Sequence, residues 1–385
     1  MRIHLNWLLF TLALTCSFAF WHIHRDLRQL KKKTNAYGTL VANLDNGVWN
    51  TPSLLGGMVL PLELQNIPLG EKKGVVLRSK EINIRNVVAP YNPSIIENET
   101  GYLLFFRYDV INQMCNSGFY TYIGCAQLDK NFDQTEEEYT IIDTGSKFSE
   151  DPRIVRTGDD VYLFFNDEHP CGRINGRTMR VAKIDLKDRT LDYTTNLDLQ
   201  IQHIEKNWVP FEYIGENNKA ELYIEYFMNP HKILKLADPR VNSIEHLSFP
   251  ETSAFQRLSW PKIWGAPRGG SAARKIGDQY LSFFHSSFTD RRGNHWYLMG
   301  AYSFEAKAPF RITKISHYPI LFEGIYTTPY MNTACNNKQI IYPTGFCFEE
   351  KDGKNLIHVT CGENDCAIKV VTIDQTELLK SLKSI

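Results

Sequence analysis

The sequence predicts an all-β fold, a five-bladed β-propeller, from three observations. A unit recurs in which a small or polar residue near the start of an apolar stretch is followed by a turn and a second strand-like stretch. Successive units start 56 to 74 residues apart, a length that suits a four-stranded blade. Aromatic residues make up 12% of the chain and are interleaved with Val, Ile and Leu, which is typical of strands.

The small or polar residue falls at the same point of each unit, on the predicted inner strand. The five equivalent positions are Asn92, Asp151, Asn207, Gly270 and Thr344. Inner strands of a propeller line its central channel, so these positions should converge on one pocket. A β-sandwich is the structural alternative, but it does not require a polar residue at one point of five repeats.

The chain before the repeats predicts two further segments. Residues 1–33 contain a nearly continuous apolar run, Trp7 to Ile23, flanked by basic residues, and predict a signal anchor. Residues 34–84 predict a stem and a lead-in strand, and residues 85–385 the propeller domain. We expect a single-pass type II membrane protein of the ER or Golgi lumen, held in the membrane through residues 7–23. Secretion after signal cleavage before Phe20 is the alternative.

Two signals for membrane orientation disagree. The heavier basic cluster follows the apolar run, and the positive-inside rule would keep that side in the cytosol. The sequon Asn98-Glu99-Thr100 and the cysteines of the body suit the lumen instead, so Asn98 is a candidate glycosylation site.

Charge and motifs exclude several classes of partner and cofactor. The chain carries 43 basic and 43 acidic residues, which argues against nucleic acid as a partner. It has neither a dinucleotide nor a P-loop fingerprint, no H-E-x-x-H, no G-x-S-x-G and no D-x-D. We therefore expect no cofactor and no metal site.

Eight cysteines occur, seven of them in the body, so at least one there is unpaired. Cys115 with Cys125 and Cys361 with Cys366 are candidates for short disulfides, and free buried thiols fit the spacing equally well.

Asp151 is the candidate catalytic group. Strand alternation predicts that Glu150 and Asp151 face opposite ways, so that only one enters the channel, and that Asp151 shares a face with Arg153. A carboxylic acid in a partly dry pocket can protonate a glycosidic oxygen, directly or through a substrate hydroxyl. A structural Asp151–Arg153 pair is the alternative.

The motifs resemble those of the β-mannoside phosphorylases, glycoside hydrolase family 130, and the related eukaryotic β-mannosyltransferase/phosphorylases, over about Arg85 to Asp374. The similar elements are Asn92-Pro93, Glu150-Asp151-Pro152-Arg153, Lys206-Asn207-Trp208-Val209-Pro210, Pro230-His231-Lys232, Arg268-Gly269-Gly270, Phe284-His285, Tyr342-Pro343-Thr344-Gly345 and Gly362-Glu363-Asn364-Asp365.

The resemblance implies that Asp151 is the acid and that inorganic phosphate attacks from the opposite face with inversion. Cations must then hold the anion, and the candidates are Lys206, His231, Lys232 and Arg268. The implied substrate-binding residues are Asn92, Arg107, Arg153, Asn207, Trp208, His285, Tyr342 and Asp365.

Two features weaken the implied phosphate site. The family's corresponding stretch commonly ends in His-Arg, whereas this chain has His231-Lys232, which loses bidentate geometry. Arg173, Arg177 and Arg180 lie nearby in sequence, but a solvated loop is the favoured interpretation of them.

Three functions remain open from the sequence. The leading one is an enzyme that transfers or phosphorolyses β-linked mannosyl or similar units, with a glycan and inorganic phosphate or a sugar phosphate as partners. The second is an inverting hydrolase that uses water and needs a general base, for which Glu225 or Glu363 are candidates. The third is a non-catalytic glycan-binding propeller.

Overall fold

A computed structural model describes residues 60–111, 119–168, 176–197, 199, 202–215, 217–250, 252, 254–328 and 338–385. These residues form an all-β propeller, which confirms the predicted fold class. Four of their sheets have four strands each, so the described residues contain four regular blades rather than the predicted five. The remaining sheet has seven strands and departs from the blade pattern.

The elements follow in chain order. A short helix α1 (Leu62–Gln65) and a 3-10 turn (Glu71–Lys73) precede β1 (Val76–Ile82). The first blade consists of β2 (Tyr91–Asn98), β3 (Gly101–Ile111), β4 (Phe119–Leu128) and β5 (Thr140–Ile142). The second consists of β6 (Glu150–Thr157), β7 (Asp160–Glu168), β8 (Arg177–Asp185) and β9 (Thr190–Leu197). The third consists of β10 (Val209–Ile214), β11 (Ala220–Phe227), β12 (Lys232–Leu236) and β13 (Ile244–His246).

The seven-stranded sheet and the last blade complete the ring. After a 3-10 turn (Lys262–Trp264) come β14 (Arg268–Gly269), β15 (Arg274–Ile276), β16 (Gln279–Thr289), β17 (His295–Glu305), β18 (Ile312–Ser316) and β19 (Lys338–Gln339). The last blade contains β20 (Ile341–Lys351), β21 (Lys354–Glu363) and β22 (Ala367–Asp374). The chain then continues through α2 (Gln375–Ser381) to β23 (Leu382–Ser384).

The last blade is completed by the first strand of the chain. β1 pairs antiparallel with β22, so the blade order is β1-β22-β21-β20. The polar segment before Arg85 therefore contributes the outer strand of a blade and is more than a lead-in. The ring is closed by hydrogen bonds between the two ends of the described chain.

The seven-stranded sheet differs because its inner strand is interrupted and its edges are extended. A Cβ at Gly270 would lie 2.5 Å from the carbonyl oxygen of Phe283 and 2.6 Å from that of Pro343. Only glycine allows this close approach, and the inner strand is split there into β14 and β15. β19 pairs in parallel with β17, and β23 pairs with β18 at the edge.

The core lies between neighbouring sheets, which explains why the second strands are apolar on both faces. In β3, Leu104 and Phe106 pack towards β1 and β22, whereas Leu103 and Phe105 pack towards the second blade. All four are buried. Burying a Leu or Phe side chain stabilises a fold by roughly 1.5–3 kcal/mol, and this pattern is repeated between successive sheets.

Within the part of the chain that the structure describes, no helix is long and apolar enough to cross a membrane. The predicted span Trp7–Ile23 lies outside the described residues. The absence of a membrane-spanning helix from the described residues contradicts the expected single-pass type II placement.

Two local predictions can be compared with the described residues. Cys125, Cys347 and Cys361 are buried free thiols, so the candidate disulfides of Cys125 and Cys361 are absent. Asn98 ends β2 at the turn into β3, and its Nδ2 donates to Gln127 Oε1 at 2.7 Å.

Candidate active site

Backbone irregularities at the repeat positions build the centre. Asn92, Asp151 and Asn207 all adopt positive φ, at 47°, 54° and 65°. The pairing register also breaks between Tyr91 and Ser94 in β2 and at the equivalent point of β6. Asn and Asp tolerate the left-handed region better than other side-chain-bearing residues. β-bulges re-aim side chains, and here they turn the repeat residues towards the centre.

The bulge in β6 overturns the predicted alternation of Glu150 and Asp151. The register shifts between Glu150 and Arg153, with Asp151 in the left-handed region between them. Arg107 on β3 contacts both carboxylates: Nη2 lies 3.2 Å from Glu150 Oε1, and Nη1 lies 3.6 Å from Asp151 Oδ1. Both acids therefore belong to one cluster.

Asp151 and Arg107 are each held by further contacts. Asn92 Nδ2 donates to Asp151 Oδ1 at 2.7 Å in a buried environment. Arg107 Nε lies 3.4 Å from Asp109 Oδ1, and its guanidinium carbon lies 4.8 Å from the ring centroid of Tyr91. These contacts fix the guanidinium among three carboxylates.

The last blade packs tightly behind Asn92. A Cβ at Gly362 would lie 2.2 Å from Asn92 Oδ1 and 2.6 Å from its backbone nitrogen. Glycine is therefore needed at this point of β21, because any side chain would displace the amide that bonds to Asp151.

The two adjacent acids are shifted in opposite directions. Burial alone would raise the pKa of Asp151, but the charges of Arg107 and Arg153, the Asn92 hydrogen bond and the charge of Lys206 hold that pKa below its usual value. Burial raises the pKa of Glu150, and the charges of Arg107 and Arg177 oppose that rise only in part. Asp151 therefore loses its proton more readily than Glu150.

A further carboxylate, Asp365, lies near this cluster, just after β21. Its side chain retains solvent access, but the surrounding protein desolvates it and raises its pKa to about 6. The charges of Arg107 and Lys338 oppose the shift, while Asp151 and Asp109 add to it. Asp365 thus titrates near neutrality within the field of Asp151.

Arg153 acts as a clamp across the centre. Its side chain is fully buried, and its Nη1 donates to the backbone carbonyl of Asp151 at 3.1 Å. Nε donates to the Gly270 carbonyl at 2.5 Å and Nη2 to the Tyr342 hydroxyl at 2.9 Å. Tyr342 in turn donates to Asn207 Oδ1 at 2.6 Å. This network links four of the five repeat units.

Cations surround the buried imidazole of His285. Desolvation, followed by the charges of Arg268, Arg153 and Lys206, lowers the pKa of His285 well below its usual value, so the ring is neutral. Its Nδ1 and the Nε of Arg268 are buried without a hydrogen-bond partner. Among the described residues, no carboxylate lies within 4.0 Å of Lys206 or Arg268, whose Nη2 donates to Ser287 at 2.7 Å.

Three predicted ligand contacts lie elsewhere. The His231 side chain has no accessible surface, and its Nε2 lies 2.5 Å from Glu225 Oε2. The Lys232 ammonium lies 5.0 Å from the ring centroid of Tyr226. Trp208 is 1% exposed and packs edge-on against the same ring, so it is a core residue rather than a sugar platform. The structure thus encloses His231 and Trp208 in protein, and the expected ligand contacts of these two residues and of Lys232 stay predictions.

The candidate general bases are enclosed as well. Glu225 is 1% exposed and accepts a hydrogen bond from the Tyr302 hydroxyl at 2.7 Å, in addition to its His231 contact. Glu363 is fully buried, and Lys369 Nζ lies 2.9 Å from its Oε2. Neither carboxylate is accessible to activate water.

Several residues near the centre were not predicted. Arg177 binds Glu150 through Nη2 and donates to the Phe148 carbonyl at 2.7 Å, so it is not part of a solvated loop. Arg180 bonds to Asp167 at 2.7 Å, and Arg173 lies outside the described residues. The sequence could have predicted Asp109 as a residue of the centre, because it lies two residues after Arg107 and therefore on the same face of β3. Arg177 and Glu150 could not, because their contact depends on the bulge.

The centre therefore has two halves. One half contains the acid cluster of Asp151, Glu150, Asp109 and Asp365 around Arg107. The other contains Lys206 and Arg268 beside neutral His285, with Arg153 between the halves. Among the described residues, no group of three or more His, Cys, Asp or Glu side chains could hold a metal ion.

No family model and no curated protein matches the sequence. The fold is similar to that of several solved structures. MPT-4, a mannose phosphorylase from Leishmania mexicana in complex with phosphate ion, is 14% identical with a TM-score of 0.54, over 82% of this chain and 93% of that chain. A β-1,2-mannobiose phosphorylase from Listeria innocua, in complex with β-1,2-mannobiose, is 13% identical with a TM-score of 0.52, over 81% and 97%.

A third structure comes from work on the GH130 family of mannoside phosphorylases, which contains glycoside hydrolases that target β-1,2 mannosidic linkages in Candida mannan. It is 11% identical with a TM-score of 0.54, over 75% of this chain and 85% of that chain. The structural neighbours thus include the family that the motifs resemble. At these identities the similarity establishes the fold.

Proposed function

We propose that this chain is a carbohydrate-active enzyme that transfers or phosphorolyses β-linked mannosyl units with inversion, using Asp151 as the acid. The observation that carries the proposal is the division of the centre into a carboxylate half and a half in which Lys206 and Arg268 have no carboxylate of the described residues within 4.0 Å. An inverting hydrolase needs a base carboxylate on the face opposite the acid, where this centre has Lys206 and Arg268. A phosphorolytic enzyme needs cations there to hold its anionic nucleophile.

The proposed roles follow the charges. Lys206 and Arg268 hold phosphate or the phosphate of a sugar phosphate, and His285 accepts a hydrogen bond from it. Asn92, Arg107 and Asp365 bind hydroxyls of the transferred sugar. Arg153, Asn207 and Tyr342 support the site through their shared hydrogen bonds.

In the phosphorolytic direction, a phosphate oxygen forms a bond to the anomeric carbon as the glycosidic C–O bond breaks. The leaving oxygen takes the proton of Asp151, directly or through a substrate hydroxyl. A β-linked donor then yields an α-sugar 1-phosphate and a shortened saccharide.

Anion binding provides a reason for Asp151 to hold that proton. Besides Arg107, the charges of Arg153 and Lys206 lower the pKa of Asp151. A phosphate anion beside those two cations offsets their charge, so the pKa of Asp151 rises when phosphate binds. Protonation of the acid is thereby coupled to the presence of the nucleophile.

The alternatives receive less support. The hydrolase interpretation relied on Glu225 or Glu363 as base, and both are buried and hydrogen-bonded. A non-catalytic glycan-binding propeller has no need for an acid beside unpaired cations.

The test uses the full-length protein with β-1,2-mannobiose and inorganic phosphate, and in reverse with α-mannose 1-phosphate and mannose. We expect phosphate-dependent turnover, and a loss of at least about 100-fold in kcat for Asp151→Asn.

Two lysine variants provide a matched comparison. Lys206→Met should raise the KM for phosphate, whereas Lys232→Met, which neutralises a lysine outside the centre, should leave it unchanged. Hydrolysis that is independent of phosphate would favour the hydrolase, and saccharide binding without turnover in either assay would favour the glycan-binding propeller.

A further inference from the structure

Glu150 and Asp151 are bound by one guanidinium. Arg107 lies 3.2 Å from Glu150 and 3.6 Å from Asp151, and its side chain is 12% exposed. Two carboxylates that share one buried cation compete for it, so the charge state of either determines how strongly the cation stabilises the other.

The two acids are not equivalent in their other contacts. Glu150 has a second cation, Arg177, on its far side, whereas Asp151 has the Asn92 amide at 2.7 Å. Arg177 also donates to the Phe148 carbonyl, so it holds Glu150 at a fixed place beside Arg107.

We propose that Glu150 is a positioning residue that sets the protonation state of Asp151 through the shared guanidinium of Arg107. The inference rests on the proposed function, in which Asp151 must carry a proton in the reacting complex. An ionised Glu150 partly neutralises the positive charge of Arg107 and repels a negative charge on Asp151, so it favours the protonated form of Asp151. A neutral Glu150 leaves the whole Arg107 charge to Asp151 and favours its ionised form.

Charged and titratable groups of neighbouring strands face Glu150. Arg107 and Asp109 face it from β3, Asp151 from its own strand, Arg177 from β8 and Tyr91 from β2. Burial raises the pKa of Glu150, while Arg107, Arg153, the Asn92 hydrogen bond and Lys206 lower that of Asp151. Arg107 is the largest of the charges that act on either group, which agrees with competition for one cation.

The decisive variant is Glu150→Gln, which keeps the shape of the side chain and makes it permanently neutral. Asp151 should then lose its proton at lower pH, so the alkaline limb of the pH profile of kcat should move about one pH unit lower. Activity should fall several-fold at pH 7 and be nearly restored at low pH. A purely structural role would reduce activity equally at every pH.

Asp160→Asn is the matched control, since it neutralises a carboxylate of the same blade that pairs with Lys183 at 2.7 Å, outside the cluster. Its pH profile should coincide with that of the unaltered protein. An unmoved alkaline limb in Glu150→Gln would overturn the proposal.

A second measurement is independent of turnover and separates this inference from the proposed function. The pKa of Glu150 is higher in the folded protein than in the unfolded chain. Ionisation of this group therefore lowers the free energy of unfolding as the pH rises above the pKa that the group has in the unfolded chain. The gain in unfolding free energy from Glu150→Gln should therefore grow between pH 4 and pH 8.

If the unaltered protein shows no turnover, the proposed function fails and the unfolding measurement alone decides. In that case a pH-independent difference between Glu150→Gln and the unaltered protein would refute the shared-cation arrangement.

Discussion

At the residue scale, the acid cluster contains more carboxylates than nearby guanidinium groups. Arg107 contacts Glu150, Asp151 and Asp109, and Arg177 is a second guanidinium partner of Glu150. The excess negative charge is reduced when a group takes up a proton, and Asp365 is the member whose pKa is raised to about 6. Charge balance in this half of the centre therefore depends on pH near neutrality.

Asp365→Asn tests this dependence. The folded-state pKa of about 6 exceeds the reference value of 3.8, so the group's favourable contribution is complete below about pH 3.8 and is lost as pH rises through 6. Asn carries no charge at any pH. The melting temperature of the variant, relative to the unaltered protein, should therefore rise between pH 4 and pH 7.

Asp278→Asn serves as control, because Asp278 is an exposed turn residue remote in sequence from the acid cluster. Its effect on melting temperature should vary little over the same range. A difference for Asp365→Asn that stays flat would mean that this carboxyl is not desolvated in the folded protein.

At the element scale, the bulged inner strands are the device that creates the site. Positive φ at three equivalent repeat positions, Asn92, Asp151 and Asn207, turns polar side chains to the centre at the cost of local strain. Regular alternation would separate Glu150 from Asp151, and the irregular backbone brings both to Arg107.

The strain can be measured at Asn207 with two variants. Asn207→Ala and Asn207→Gly both remove the acceptor of the Tyr342 hydroxyl, which costs about 1 kcal/mol. Only alanine adds a Cβ to a residue at φ 65°, so the glycine variant should be more stable by about 1 kcal/mol in urea denaturation.

Asn196, an exposed residue of β9 without positive φ, provides the matched pair of substitutions. There the order should reverse, because glycine weakens a regular strand relative to alanine. An alanine variant of Asn207 that is as stable as the glycine variant would rule out strain at that position.

At the scale of the whole molecule, closure of the ring depends on the strand that precedes the first repeat. β1 pairs with β22 over Val76–Ile82, and Ile82 is 2% exposed beside Ile368. The sequence does not indicate that this strand closes the ring, because most of its residues are polar or basic and only Val76 and Ile82 of the strand are buried.

Ile82→Ala should destabilise the whole propeller by about 2–5 kcal/mol, because it removes buried methyl groups between β1 and the first blade. Leu77→Ala on the same strand should change stability by no more than about 0.5 kcal/mol, since Leu77 is 43% exposed. Urea denaturation of both variants makes the comparison. Equal effects would show that β1 does not hold the ring closed.

The sequence by itself determined the propeller class and the positions at which polar residues enter the centre. Both follow from the local pattern, because the strand period and the repeat spacing can be read from the order of residues along the chain. The same pattern indicated Asp151, whereas Arg107, Lys206 and Arg268 were predicted for its pocket only from the resemblance of the motifs to a known family.

Only the tertiary structure decided which of the candidates share the centre and what holds them. His231, Lys232 and Trp208 carry the right chemistry, but they lie against Glu225 and Tyr226. The joint contact of Glu150 and Asp151 with Arg107 depends on a bulge, and closure by β1 depends on pairing across almost the whole described chain. These features follow from contacts between residues distant in sequence, and local periodicity does not encode such contacts.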